Sequence, residues 1–442
     1  MNERSPTIKR TAMLRRRILS RRATVAIVGQ GYVGLSLACA AADAGFPVTG
    51  IDVDASRIAD LQRGILSVPG VDETVFRDGM TSGRITFTTE PDALGASDIV
   101  LVCVPTPLRD HTPDLRFVEE ATRMVAEHPA PGRLVVLEST TYPGTTSQVV
   151  QPILETSGQL AGTDFLLAYS PERIDPGNEE FNLRNTPKLV GGISPEATGL
   201  ASLFYGQFVE KVISTSSCEV AELSKLLENT FRHVNIALVN EMSMLCHEMG
   251  IDVWEVIDAT ATKPFGFMTF TPGPGVGGHC VPFDPNYLAW QIRRDVGHQF
   301  RILEQAEDVN AQMPPYVATR IGDALNDAGK AVRGSEILVL GVSYKADVGD
   351  MRESPALKII AQLQRRGASV AFHDPYVPSI TVDGTTMSCS DLSQSAVEGA
   401  DCVALLTPHK AYDLEWIADN ARMVFDARNA FGPDRRPNVV LL

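Results

Sequence analysis

No apolar run in this sequence approaches the roughly 18 residues that a membrane-spanning helix requires, so a helical membrane span is not expected. No Cys-x-x-Cys pair occurs among its seven cysteines, and their number is odd. That pattern supports neither a disulfide framework nor a zinc site, so no metal is expected; it suits a reducing compartment, and a cytoplasmic location follows. Positive charge is also short. Lys and Arg total 39 against 54 Asp and Glu, a formal net charge of -15, which argues against nucleic acid as a partner. The basic residues that exist crowd the start: residues 1–22 hold eight of them against one acid, Glu3. No apolar segment follows that would make this stretch a secretory signal. It reads as a disordered basic tail that can be removed without loss.

What is present is ample apolar material, 44% of 442 residues, enough for two or three domains. Val25-Ala-Ile-Val-Gly-Gln-Gly-Tyr-Val-Gly34, an apolar helical run, and Pro47-Val-Thr-Gly-Ile-Asp52 form a strand, glycine turn, helix and second strand ending in an acid. This is a βαβ unit. The apolar runs 97–105 and 133–140 predict further buried strands, hence a parallel, doubly wound sheet. From Cys218 to Met249 there is no Pro or Gly, and apolar residues fall at helical spacing, which predicts one long helix, a domain connector and oligomer interface. The last third repeats the first, with strands over 336–341, 369–374 and 400–408 and a helix over 354–366. The expected fold is α/β: a Rossmann-like domain over 23–215, a central helical domain over 216–325 and a second Rossmann-like domain over 326–442. The second copy lacks Gly-x-Gly-x-x-Gly and should not hold a dinucleotide in the same way.

In the turn, Gly29 permits the tight bend, Gly31 lets a pyrophosphate approach the backbone, and Gly34 lets helix and strand pack. The helix N-terminus then faces the phosphates. Asp52 is placed to accept from the ribose hydroxyls and would repel a 2'-phosphate, so NAD is expected over NADP. Lys225 and Asn229 lie four apart and share a helix face; the spacing alone also fits a solvated polar face, with Glu222 a surface partner for Lys225. Thr271-Pro-Gly-Pro-Gly-Val-Gly-Gly-His-Cys-Val-Pro-Phe-Asp-Pro285 holds four glycines and four prolines in fifteen residues, and is read as neither helix nor strand. Cys280 within it, beside His279, is either a stabilised thiolate nucleophile or a buried inert thiol. Lys345 and Arg352 can meet phosphates or a carboxylate, or the segment can be ordinary capping by Ser354 with Pro355 at the first helical position. Glu172 follows a strand expected over 165–168, where a carboxylate can act as base or sugar ligand.

Taken together and in order, Gly29-Gln-Gly-Tyr-Val-Gly34, Val104-Pro-Thr-Pro107, Ser139-Thr-Thr-Tyr-Pro-Gly144, Ser170-Pro-Glu172, Lys225-Leu-Leu-Glu-Asn229, Gly277-Gly-His-Cys280 with Asp284, and Tyr344-Lys-Ala-Asp347 with Arg352-Glu-Ser354 resemble the UDP-glucose/GDP-mannose dehydrogenase family over nearly the whole chain. The resemblance implies a four-electron oxidation using two NAD. It implies that Cys280 is the nucleophile, Asp284 the base or water-positioning group, and Lys225 and Asn229 the holders of the developing oxyanion. Thr140 would help order the catalytic water, and Glu172 would serve thioester hydrolysis. Cofactor-binding candidates are Gly29, Gly31, Tyr32, Val33, Gly34, Asp52, Arg57, Pro105, Thr106, Thr140 and Arg352. Substrate-binding candidates are Glu172, Arg173, Lys225, Asn229, Gly277, His279 and Lys345.

Departures within the motifs point to the substrate. Arg173, His279 and Phe283 differ from the pattern of enzymes acting on UDP-glucose and resemble the branch acting on UDP-N-acetylhexosamines, with UDP-N-acetylglucosamine the nearer match. UDP-N-acetylmannosamine and UDP-glucose are the rivals within that chemistry. A two-electron hydroxyacid dehydrogenase would need no cysteine, and a silent nucleotide-sugar or NAD sensor would have no use for one. A homodimer or higher homo-oligomer is expected.

Overall fold

A computed structural model describes residues 6–66, 71–109, 112–175, 178, 180–278, 280–433 and 436–442, the side chains of residues 6–8 and 280 excepted. The chain divides into two units. One comprises the chain up to Glu228 together with Asn286–Gln291; the other comprises Asn229–Pro285 and Ile292–Leu442.

The strands of the first unit are β1 (Val25–Val28), β2 (Val48–Ile51), β3 (Ile85–Thr88), β4 (Ile99–Val102), β5 (Leu108–Arg109), β6 (Thr112–Pro113), β7 (Leu134–Leu137), β8 (Leu166–Tyr169), β9 (Lys188–Gly192) and β10 (Val212–Ser214). Eight make one sheet in the order β10-β9-β8-β7-β4-β1-β2-β3, while β5 and β6 form a short hairpin. All neighbours in the sheet run parallel except β8 and β9. Val25 and Ile27 enter one hydrophobic cluster and Ala26 and Val28 another. Both faces of the sheet are therefore buried, which is why its strands read as unbroken apolar runs rather than alternating ones. Strand order reverses between β1 and β4, and the glycine turn leaves β1 at that point, where an open α/β sheet binds its ligand.

The second unit repeats this on a smaller scale. Its strands are β11 (Glu336–Leu340), β12 (Ser369–His373), β13 (Ser379–Val382), β14 (Thr385–Ser388), β15 (Cys402–Leu405), β16 (Val424–Asp426) and β17 (Val439–Leu441). Five form a parallel sheet, β12-β11-β15-β16-β17, and β13 pairs with β14 as an antiparallel hairpin. Ile337 and Val339 face one cluster, Leu338 and Leu340 another. The central helices are Cys218–Met249, Val253–Ala261, Cys280–Asp295 and Arg301–Asp327. Among the described residues, no helix is long and apolar enough to cross a membrane.

Two expectations are corrected. Residues Pro6–Leu19 of the supposed disordered tail form a helix. Leu14 and Ile18, one turn apart, are buried in the cluster that holds Phe46 and Phe204. Its arginines are anchored as well: Arg10 pairs with Asp164 at 3.0 Å, Arg17 with Asp98 at 2.8 Å, and Arg21 donates to the Ala44 carbonyl at 3.0 Å. Two apolar anchors and these acids outweigh the charge density that reads as disorder. Second, the Gly/Pro-rich segment is not irregular throughout, because a helix runs from Cys280 to Asp295. Pro282 falls in its first turn, where the missing N–H has no intrahelical partner to lose, and Pro285 is accommodated inside it.

Candidate active site

In the first unit the three glycines of the turn have three separate reasons. Gly29 has φ +92°, and a Cβ there would meet the Cys103 carbonyl oxygen at 2.6 Å. A Cβ on Gly34 would strike the Gly29 carbonyl oxygen, so helix and turn pack backbone to backbone. Around Gly31 nothing lies within 4 Å of an added Cβ; the open space sits at the cap of the helix Tyr32–Asp43, which no side chain caps. A helix N-terminus beside an open glycine is a phosphate cradle, and these residues fit NAD. Asp52 is buried. Its Oδ2 accepts from Gln30 N at 2.7 Å and from Arg57 at 3.0 Å, and Oδ1 accepts from Asp54 N at 3.0 Å. The acid thus ties the turn to β2 and holds Arg57 beside it. Val33 is half-buried, Pro105 exposed and Thr106 buried.

The Thr140 segment is braced from three sides. Ser139 Oγ donates to the Val104 carbonyl at 2.7 Å. Gln291 donates to the Pro143 carbonyl at 2.6 Å, and Tyr287 Oη to the Thr106 carbonyl at 2.9 Å. Glu222 is not the surface partner for Lys225 considered above. It is fully buried and accepts from Gly144 N at 2.6 Å, Thr146 N at 2.9 Å and Thr146 Oγ1 at 2.7 Å. Burial pushes its carboxyl up to about 7 despite those bonds.

Glu172 is 5% exposed; its Oε1 accepts from Arg173 N at 2.6 Å and from Ile174 N, while its Oε2 is buried without a hydrogen-bond partner among the described residues. Arg173, expected at the substrate, is paired with Glu228 at 2.7 Å and donates to the Pro187 carbonyl at 2.5 Å. Lys225, on the long helix, is 7% exposed and has no hydrogen-bond or ion-pair partner among the described residues. An anionic oxygen of a bound ligand would give its ammonium the partner that these residues do not.

In the second unit, Asn229 donates to Asp284 Oδ2 at 2.5 Å, and both are buried. The glycine loop is set against the segment carrying Lys345 and Arg352. A Cβ on Gly277 would meet Tyr344 Cβ at 2.7 Å, and Gly278, with φ +84°, donates to the Arg352 carbonyl at 2.8 Å. Lys345 is half-buried. The exposed Arg352 side chain grips Asp350 through two nitrogens, at 3.0 and 2.5 Å. Cys280 opens its helix; its side chain, and His279 altogether, lie outside the described residues. Asp374, following β12 as Asp52 follows β2, accepts from Val342 N, Ser343 N, Ser343 Oγ, Tyr376 N and His409 Nε2, at 2.8 to 3.1 Å. Burial would raise its carboxyl, but these bonds outweigh it and hold it at about 2. His409 Nδ1 accepts from Asp347 N at 2.9 Å, so the imidazole is the Nε2–H tautomer.

Comparison with known proteins decides the family. The NAD binding domain of the UDP-glucose/GDP-mannose dehydrogenase family matches residues 23–209, its central domain residues 219–312 and its UDP binding domain residues 338–433. The UDP-N-acetyl-D-mannosamine dehydrogenase of Pyrococcus horikoshii is 36% identical over 92% of this chain and 95% of its own length. This chain belongs to the UDP-glucose/GDP-mannose dehydrogenase family. The NDP-N-acetyl-D-galactosaminuronic acid dehydrogenase of Ralstonia nicotianae is 33% identical over 93% of this chain and 97% of its own. A solved structure of UDP-D-ManNAc dehydrogenase from P. horikoshii superposes with a TM-score of 0.86 at 33% identity, covering 95% and 98% of the two chains.

As a member of this family the chain is an NAD-dependent oxidoreductase acting on nucleotide sugars. The sequence did not reveal Glu222, His409 or the buried Lys188–Glu138 pair as parts of the framework around these residues. The one available signal was a charged residue abutting an apolar strand run, as with Glu138 after Leu134–Leu137 and Lys188 at the head of β9.

Proposed function

We propose that this enzyme oxidises the C6 hydroxymethyl group of a UDP-N-acetylhexosamine to a carboxylate, with two NAD reduced per sugar, through a covalent intermediate on Cys280. The observation that carries this reading is Lys225, a largely buried lysine with no hydrogen-bond or ion-pair partner among the described residues, since a developing oxyanion is a ligand such a group can hold. Bound NAD supplies a two-electron acceptor for each oxidation. In this reading Lys225 and Asn229 hold the C6 oxygen while its proton passes to the Asp284 carboxylate. The Cys280 thiolate then adds to the aldehyde carbon, forming a C–S bond, and the second oxidation converts that thiohemiacetal to a thioester. Water cleaves the thioester: a C–O bond forms, the C–S bond breaks, the thiolate leaves, and the water proton passes to Glu172, with Thr140 orienting the water. The position of Cys280 at the first residue of a helix suits this role, because the N-terminal end of a helix favours a thiolate.

An N-acetylated hexosamine is supported by Arg173 and Phe283 in the motifs, and by relatives named for N-acetylmannosamine and N-acetylgalactosaminuronic acid. Those names favour the mannosamine epimer over the glucosamine expected from sequence. A panel of UDP-sugars with NAD reduction followed by absorbance tests the reading. About two NADH per N-acetylhexosamine is the expected outcome. A preference for UDP-glucose would overturn the substrate class, and one NADH per sugar the four-electron course.

The working form in this reading is a homodimer built on the long helix. Val220, Leu223, Leu227, Phe231, Leu238 and Leu245 are all exposed. Spaced in threes, fours and sevens, they make one narrow stripe along it. Leu227→Glu should yield monomers by light scattering, and an unchanged mass would place the contact elsewhere.

A further inference from the structure

Beneath Glu172 lies a buried ion pair with no part in the chemistry above. Lys188, at the head of β9, is 3% exposed, and its ammonium donates to Glu138 Oε2 at 2.8 Å and to the Pro171 carbonyl at 3.2 Å. Glu138, directly after β7 and two residues before Thr140, is 1% exposed, and its other oxygen accepts from the fully buried Tyr205 hydroxyl. The Tyr205 ring also lies 5.0 Å from the Lys188 ammonium. The tie to Pro171 grips the peptide immediately before Glu172, and Ser170 Oγ donates to the Leu189 carbonyl at 2.8 Å on its other side. The titratable groups facing Lys188 are Glu138, Glu172, Cys103 and Tyr205. Lys188 is the one cation among them, set between two buried carboxylates.

A replaceable structural pair would have little reason to be built this way. Without Lys188, the Glu138 carboxylate would stand buried with no cation beside it, where it would take a proton. Burial and the neighbouring Glu172 already push Glu138 up to about 7, against the pull of Lys188. A carboxylate that must take a proton from water has to be aimed at it, and Glu172 has one oxygen fixed by backbone donors and the other without a partner among the described residues.

We infer that Lys188 is a positioning residue for Glu172, fixing its peptide through Pro171 and so aiming its carboxylate for thioester cleavage. This rests on the assignment of Glu172 to that step. The full-length enzyme tests it through Lys188→Met, which keeps length and removes charge, beside Lys188→Arg and Glu172→Gln. Single-turnover NADH release separates the oxidations from hydrolysis, and intact-mass analysis of quenched enzyme detects a sugar nucleotide held on Cys280. In Lys188→Met the NADH burst should persist, the adduct should accumulate, and kcat should fall by roughly 10²-fold, the cost of a misplaced catalytic group. Lys188→Arg should restore most of the rate. If Lys188→Met does not fold, Lys188→Met/Glu138→Gln carries the test: the Glu138 charge is not left without its cation, the tie to Pro171 is still lost, and the adduct should still accumulate. Accumulation in Glu172→Gln without accumulation in either Lys188→Met enzyme overturns the role of Lys188 alone. Normal turnover in Glu172→Gln overturns both assignments. Equal loss of burst and hydrolysis marks Lys188 as a framework residue and overturns the inference.

Discussion

Asn229 donates its side-chain amide to the Asp284 carboxylate at 2.5 Å, across 55 residues of sequence and inside the second unit. Both are almost fully buried, so the bond orients an acid that water does not reach freely. Taking a donor away from a buried carboxylate costs about 1–3 kcal/mol, more than an exposed hydrogen bond contributes. Asn229→Ala should therefore lower the melting temperature and reduce kcat by about 10²-fold, the low end of what positioned acid–base groups contribute. Thermal melts and steady-state rates check this. Wild-type values for both would mean that the bond neither orients Asp284 nor supports the fold.

Asp52 and Arg57 give a second prediction. The carboxylate holds Arg57 at 3.0 Å as well as the Gln30 and Asp54 amides. Asp52→Ala removes the acceptor for the ribose and releases a guanidinium at the same place. NADH affinity should fall, while NADPH affinity should rise relative to it, because the freed Arg57 can meet a 2'-phosphate. Fluorescence titration with both nucleotides measures the ratio. An unchanged ratio would put the adenosine ribose away from Asp52.

The N-terminal helix should matter to stability. Leu14 is 3% and Ile18 0% exposed, packed in the core of the first unit. Leu14→Ala and Ile18→Ala should each cost about 2–5 kcal/mol, the usual range for truncating a buried aliphatic side chain. Deleting residues 1–22 should lower the melting temperature further. A deletion that melts with the full chain would show that the helix is a passenger.

The sequence made the two sheets readable because strands buried on both faces leave unbroken apolar runs, such as Ile99–Val102 and Ile337–Leu340. The long helix was readable to its ends, Cys218 and Met249, because no Pro or Gly interrupts it. What stayed hidden depends on tertiary partners. Arg10 and Arg17 look like tail charges until Asp164 and Asp98 stand beside them. The helix at Cys280 is masked by Pro282 and Pro285, which local propensity scores against it. Glu222 reads as a surface acid because its acceptors' donors lie 76 and 78 residues away. Lys188 and Glu138 are 50 apart, and nothing local in either strand announces the other.

The role of Cys280 is the most direct test of the proposed chemistry. Cys280 opens the helix Cys280–Asp295, so a small side chain there should leave the helix and NAD binding intact. Cys280→Ala should abolish turnover, since no covalent path remains. Cys280→Ser should leave at most a trace: a thiol with a pKa near about 8.5 is partly ionised at neutral pH, whereas a serine hydroxyl is not, and the ester it would form is cleaved more slowly than a thioester. The two variants therefore separate loss of the nucleophile from loss of the site. Rapid quenching of the wild-type enzyme followed by intact-mass analysis should find a sugar nucleotide on the peptide that contains Cys280, and neither variant should show a thioester. NADH binding, measured by fluorescence, should be unchanged in both, which separates a chemical defect from a folding one. If Cys280→Ala still reduces two NAD per sugar, the covalent course is wrong. The oxidation would then run through a hydrated aldehyde, with Asp284, held by Asn229, as the base that activates water.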